Sequence, residues 1–429
     1  MKFNNLTLLL TLFLSLYLSL SCDTTNPANS SLVLELKEVA STEVWLTLKS
    51  ELNPRPINVI IRNGNTPLIN ILLTTNDTIL FLDKLKPMSN YSFTAETIID
   101  DFYMKSEQIN CTTLDTTTHD FTWETFYFGG NIGTYIFEDV EIIDENNIWV
   151  VGGFSTEGRD STWENIHNAI RWDGGKWNIS DIRTFYFCGN DTKWPGELMH
   201  SIYFDYENNI WAASSNQIVN VTKDKAFCME GITRLDAIQG FDTGELLAVN
   251  HYNGGSHLNG FNSGNWGKVQ TEFEGYITDL LPLRKDNNEK IILFPISNNQ
   301  TNQYQLFCIN SDKVIKPYST LPNSFVKSIW TDKGFPIHVV SGSKLFENKT
   351  GIWKEISLLP NQTFAKIRGS KLNNIFAIGW GNVAHYNGST WKVYDELKGY
   401  YYSVAVKDNI VVIVGMQNNK AAVVMGIKN

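Results

Sequence analysis

The chain is short of cysteine, of positive charge and of helical pattern, and each shortage removes a class of function. Five cysteines in 429 residues, none in a Cys-X-X-Cys pair, leave no basis for a zinc ribbon or a thioredoxin-like redox site. Lys and Arg number 35 against 45 Asp and Glu, a formal charge of −10, so no nucleic-acid partner is expected. No apolar run reaches the roughly 20 residues that a membrane-crossing helix needs. The longest, Leu6 to Leu20, is about 15 residues. There is no His-Glu-X-X-His for zinc, no Gly-X-Ser-X-Gly elbow and no Ser-X-Asp-X-Gly-X-Thr-Trp box. No metal, cofactor or catalytic set is therefore expected.

What the chain has in plenty is strand and turn chemistry. Aromatics make up 13% of the residues and Trp alone counts 13. Thr, Val, Ile, Tyr and Trp alternate between clusters of Gly, Asn and Asp, which is an all-β composition. About 400 residues beyond the first apolar run exceed one small core, so at least two domains are expected.

The amino-terminal run carries a positive start at Lys2 and ends Leu18-Ser19-Leu20-Ser21-Cys22. This resembles the lipobox of bacterial lipoproteins. The resemblance implies that residues 1–21 are a signal peptide and that Cys22 is acylated on its thiol and its amine. The protein would then be held to a membrane by its N-terminal lipid, since several acyl chains give stable anchoring. The expected address is the cell envelope, outer membrane or cell surface ahead of inner membrane. Asp23 means different things in different bacteria and leaves the leaflet open. Residues 22–31 read as a lipidated tether.

Residues 32–116 contain short alternating strands such as Glu43-Val-Trp-Leu-Thr-Leu-Lys49. They also contain Leu85-Lys-Pro87-Met-Ser-Asn-Tyr91. Leu, Pro two on and Tyr six on resemble the fibronectin type III sandwich. That resemblance implies a core Trp at Trp45, a tyrosine corner at Tyr91 and a last strand holding Cys111 as a free thiol.

Residues 119–429 repeat. Asp144-Glu-Asn-Asn-Ile-Trp149-Val-Val-Gly-Gly returns as Tyr206-Glu-Asn-Asn-Ile-Trp211-Ala-Ala-Ser and as Lys371-Leu-Asn-Asn-Ile-Phe376-Ala-Ile-Gly. Trp172-Asp-Gly-Gly-Lys-Trp177 and Tyr386-Asn-Gly-Ser-Thr-Trp391 follow two of the copies, and Asx-Gly between alternating strands marks a hairpin. The unit is strand A, a turn taken as type I′, strand B, strand C, a Gly turn and strand D opening on Trp. Four antiparallel strands per repeat resemble a β-propeller. Seven units are expected, with six or eight open because the middle units are degenerate. Phe121 to Phe128 would supply the missing last strand. Trp149, Trp172, Trp177, Trp211, Trp353 and Trp391 are expected between blades.

The long loops fall on the face shared by B–C and D–A connections, where function concentrates. Candidate ligand-binding residues there are Arg159, Asp160, Trp163, Glu164, His167, Trp194, His251, Tyr252, His257 and Trp380. Flat rings among hydrogen-bonding side chains suit a glycan or a cell-envelope protein as partner. The expectation is a monomeric binding protein, with a polysaccharide hydrolase or lyase on the same face as the alternative. Cys188 and Cys228 are the disulfide candidates, and Cys308 reads as a buried thiol.

Overall fold

The computed structural model describes residues 32–429 apart from 54, 131–135, 157–164, 189–190, 194–197, 230–231, 233, 242–243, 253–254, 263, 285–289, 299 and 359–362. The expected signal peptide, Cys22 and the tether lie outside the described residues. Among the described residues there is no α-helix.

The chain divides into two compact units. One comprises residues up to Lys37, Trp45–Leu80 and Asn90–Thr112; the other comprises Glu38–Val44, Phe81–Ser89 and Thr113–Asn429. Strands of the amino-terminal region form two sheets, the second of them antiparallel. Three strands, Leu32–Val39, Val44–Ser50 and Asp77–Leu82, make the first sheet. The second is built on Ile57–Asn63, Thr66–Leu73 and Asn90–Ile99. Alternation buries one face: Val59, Ile61 and Phe93 are fully buried, as is Trp45. Tyr91 stacks on Phe93 with ring centroids 5.9 Å apart, and Cys111 is a half-buried free thiol.

From Phe121 onward the chain is a β-propeller. Among the described residues it forms seven successive antiparallel units of four strand positions, blades 1 to 7. Strand A of each blade begins at Ile136, Ser201, Leu235, Tyr276, Val326, Thr363 and Tyr400. In blade 4 strand A is split into Tyr276–Ile277 and Leu281–Arg284, both pairing with Lys290–Asn298. Blade 7 takes its outermost strand from the other end of the chain. Phe121–Phe128 pairs antiparallel with Lys420–Lys428, from Phe121 opposite Lys428 to Phe128 opposite Ala421. Between blades the cores are aliphatic and aromatic, with Phe137, Val150, Ile170, Val412 and Val423 filling the wedge between blades 1 and 7.

The repeated glycines have a steric cause. A Cβ on Gly152 would lie 2.2 Å from the Ile136 carbonyl oxygen, and one on Gly379 would lie 1.9 Å from that of Thr363. Each faces a β-bulge in strand A. The register slips between Phe137 and Asp139, and again between Phe364 and Lys366. A bulge bends its strand and re-aims a side chain, and in these two blades the close approach leaves no room for a Cβ on the opposing residue.

One expectation needs correction, the turn after strand A. Of the Trp residues expected between blades, Trp149 and Trp211 are buried. Trp172 and Trp177 are half-buried and pack against the core between blades 1 and 7, where both meet the Phe126 ring. Trp353 Nε1 donates to the Thr320 carbonyl of blade 4 at 3.0 Å, and Trp391 is half-buried against Tyr386 of its own blade. The turn after strand A is not type I′ in blade 1, because Glu145 and Asn146 lack the positive φ that type I′ requires. An acceptor carboxylate organises it instead: Asp144 Oδ1 accepts from the Asn146 amide at 2.8 Å. In blade 2 Asp205 Oδ1 accepts from the Glu207 and Asn209 amides, while its Oδ2 accepts from Trp211 Nε1 at 2.7 Å.

Candidate functional site

Residues at or beside the A strands of blades 1, 2, 3, 4, 6 and 7 line a central channel with a cavity of about 350 Å³. One strand position governs its wall, the residue just before the buried aliphatic of each strand A. That residue is Asp139, Ser201, Ala237, Asp279, Ser328, Lys366 and Ser403 in blades 1 to 7. The aliphatics that follow, from Val140 to Val404, are all buried. In blades 1, 3, 5, 6 and 7 the bulge falls immediately before this residue, which turns its side chain toward the next blade and the channel.

Asp279 is the best-held group. Its Oδ1 accepts from Arg368 Nη2 at 2.6 Å and Lys366 Nζ at 3.0 Å. Its Oδ2 accepts from Arg368 Nη1 at 2.9 Å, Ser328 Oγ at 2.8 Å and the Ile329 amide at 3.0 Å. Burial acts to raise its pKa, but the guanidinium and ammonium outweigh burial and hold the carboxyl well below the usual range. Glu141, two residues after Asp139 on the same strand, has the opposite fate. Burial first, and the Asp139 carboxylate next, push it up to about 8.

At the mouth on the B–C and D–A side, charges pair in a chain across blades. His200 Nδ1 lies 2.8 Å from Glu138 Oε2. Arg234 reaches both Glu138 at 3.3 Å and Asp236 at 2.5 Å. His251 Nδ1 lies 3.1 Å from Asp236, and its Nε2 meets the Ile277 carbonyl at 2.8 Å. The neighbouring rim is aromatic. Trp380, ending strand B of blade 6, pairs with Tyr400, which opens strand A of blade 7. Their rings meet edge-on at 6.3 Å, and they are 53% and 52% exposed. Tyr402 lines the channel nearby.

Of the residues singled out by sequence, Arg159, Asp160, Trp163, Glu164 and Trp194 lie outside the described residues. His167 is held by Asp181 at 2.9 Å, alongside Arg183. Tyr252 ends strand B of blade 3, opposite Gly255, and His257 is half-buried on strand C of that blade. His251 and Trp380 stand at the channel rim, in blades 3 and 6. Cys188 and Cys228 form a disulfide with Cα atoms 5.3 Å apart. It ties the short hairpin Tyr186–Lys193 to the outer strand of blade 2. Among the described residues no cluster of three or more His, Cys, Asp or Glu is arranged to hold a metal.

The sequence reading passed over the channel residues Asp139, Glu141, Asp236, Asp279, Lys366 and Arg368. The available signal was charge at alternate positions of an inner strand, as in Asp139-Val-Glu141 and Lys366-Ile-Arg368.

The fold and the channel define the carboxy-terminal unit as a β-propeller. No family model matches the chain, and no curated protein matches it. Among solved structures it is similar to the Dos1 propeller, with a TM-score of 0.45 and 10% identity over 72% of this chain and 95% of that one. It is also similar to the extracellular domain of the one component system BT4673 from B. thetaiotaomicron. There the TM-score is 0.45 and the identity 12%, over 94% of this chain and 58% of that one. A third is the gluconolactonase XC5397 from Xanthomonas campestris, with a TM-score of 0.39 and 7% identity over 54% and 86% of the two chains.

Proposed function

We propose that this protein is a lipid-anchored, extracytoplasmic binding protein. Its propeller recognises a glycan or a cell-envelope protein on the B–C and D–A face, without catalysis. The observation that carries the reading is the exposed pair Trp380 and Tyr400 on the rim of a charged channel. An indole and a phenol held edge-on present flat apolar area beside hydrogen-bonding groups, the mixture that sugars and peptide side chains fit. Most channel carboxylates are already engaged. Asp139 and Asp279 each accept three or more hydrogen bonds, and Glu138 and Asp236 are ion-paired.

The test is a glycan and envelope-protein binding screen of the full chain, repeated with Trp380→Ala, Tyr400→Ala, Trp163→Ala and Trp194→Ala. Loss of binding in the first two supports the reading, and undiminished binding in all four refutes it.

A second reading, a polysaccharide hydrolase or lyase, draws on Glu141 and Asp139. Burial and the Asp139 carboxylate keep Glu141 protonated near neutral pH, which is what a general acid requires. Turnover of a polysaccharide that Glu141→Gln abolishes would establish it.

A further inference from the structure

A sharper statement of the ligand comes from Lys327, and it rests on the binding reading above. Lys327 is the second residue of strand A in blade 5 and is half-buried. Its Nζ lies 5.9 Å from the centroid of the Trp380 ring. Other cations at this end of the channel have acid partners: Arg234 has Glu138 and Asp236, and Lys366 has Asp279. Lys327 has none among the described residues. Burial is the one cause acting on its ammonium, and it lowers the pKa. A partly desolvated charge without a counter-charge is unfavourable, and a ligand anion placed there relieves it.

We propose that Trp380, Tyr400 and Lys327 form a subsite for an acidic sugar residue. The apolar face of its ring stacks on the exposed indole, and its carboxylate or sulfate meets the Lys327 ammonium. The Trp380 ring is open over half its surface and braced by Tyr400, so it is preorganised for a flat partner. The chain's overall charge of −10 opposes an acidic polymer at long range. Recognition therefore depends on this contact rather than on a basic field.

The experiment measures affinity of the full chain for a polyuronate, a sulfated glycan and a neutral glycan of matched linkage. The expected result is a preference of about tenfold or more for an acidic glycan, the effect of one charged hydrogen bond. The uronate and sulfate arms decide which acid it is. Lys327→Gln removes that preference while leaving neutral binding and thermal unfolding unchanged, Lys327→Arg keeps it, and Trp380→Ala weakens all binding. Equal affinity for acidic and neutral glycans, or a preference that survives Lys327→Gln, overturns the subsite while leaving glycan binding intact. Failure of every glycan to bind overturns the subsite and the glycan reading together.

Discussion

Asp139 and Asp279 occupy equivalent positions three blades apart and share two contacts. Each accepts from a serine hydroxyl and the following backbone amide of the next blade: Ser201 and Ile202 for Asp139, Ser328 and Ile329 for Asp279. Each of those serines accepts in turn from an amide one blade further on, Ile238 or Ile367, at 3.2 Å. The innermost strands are thus linked in two runs of three blades. Ser403 of blade 7 adds a fourth blade to the first run by donating to Asp139 at 2.7 Å.

Removing the Asp279 carboxylate leaves Arg368 in the wall without its counter-charge. Asp279→Ala is expected to lower stability by about 3 to 5 kcal/mol. The double variant Asp279→Ala with Arg368→Met should recover part of that loss, because the orphaned charge is gone. Denaturant unfolding of both variants checks the non-additivity.

Glu141 makes stability depend on alkaline pH. Its folded pKa is raised from 4.5 to about 8, so the folded chain keeps a proton that the unfolded chain gives up. Stability is unaffected below the unfolded value and falls as pH rises toward 8, with the full cost above it. Glu141→Gln should therefore match the parent at pH 4 and exceed it by roughly 2 to 4 kcal/mol at pH 9. Urea unfolding at the two pH values measures this directly. An advantage that did not grow with pH would contradict the assignment.

Acid acts through two buried imidazoles. Burial lowers the pKa of His338 and of His385 to about 3. For His385 the nearby His119, Lys428 and Lys392 add to the effect. His385 Nδ1 lies 2.9 Å from His119 Nδ1, and its Nε2 lies 3.1 Å from Asn374 Oδ1. Between about pH 6.5 and 3 the unfolded chain binds protons that these rings refuse, so stability falls with pH across that window. Each ring contributes a slope of up to about 1.4 kcal/mol per pH unit. His385→Gln should flatten the acid limb, whatever its effect at pH 7.

The bridge between Cys188 and Cys228 closes a loop of 40 residues. Cys188→Ser with Cys228→Ser is expected to cost about 3 to 4 kcal/mol through the freed unfolded chain. Thiol labelling provides the independent check. Unreduced, denatured protein should show Cys111 and Cys308 reactive and Cys188 and Cys228 silent.

The propeller repeat was legible because its cues are local. An Asx before a strand, a glycine opposite a bulge and an Asx-Gly turn each act within ten residues. Asp173 Oδ1 accepting from the Gly175 and Lys176 amides, and Asn387 Oδ1 from Ser389 and Thr390, are the same turn read twice. The middle units are degenerate in sequence, and in blade 4 strand A is interrupted at Thr278-Asp279-Leu280, where Asp279 leaves the ladder to reach Arg368. The channel was illegible for a related reason. Its partners meet across 89 residues, as Asp279 and Arg368 do, and nothing near either residue names the other.

The pairing of Phe121–Phe128 with Lys420–Lys428 sets a timetable. Blades 1 to 6 are contiguous in sequence and can form in turn as the chain emerges. Blade 7 must wait until strands about 300 residues apart have both appeared. Closing so long a loop adds only a logarithmic entropy cost, but pairings this distant form late. Until they do, the edges of the Phe121–Phe128 strand and its future partner stay open to other chains and to proteases. The vulnerable interval in the life of this protein is therefore the one just before its last strand arrives.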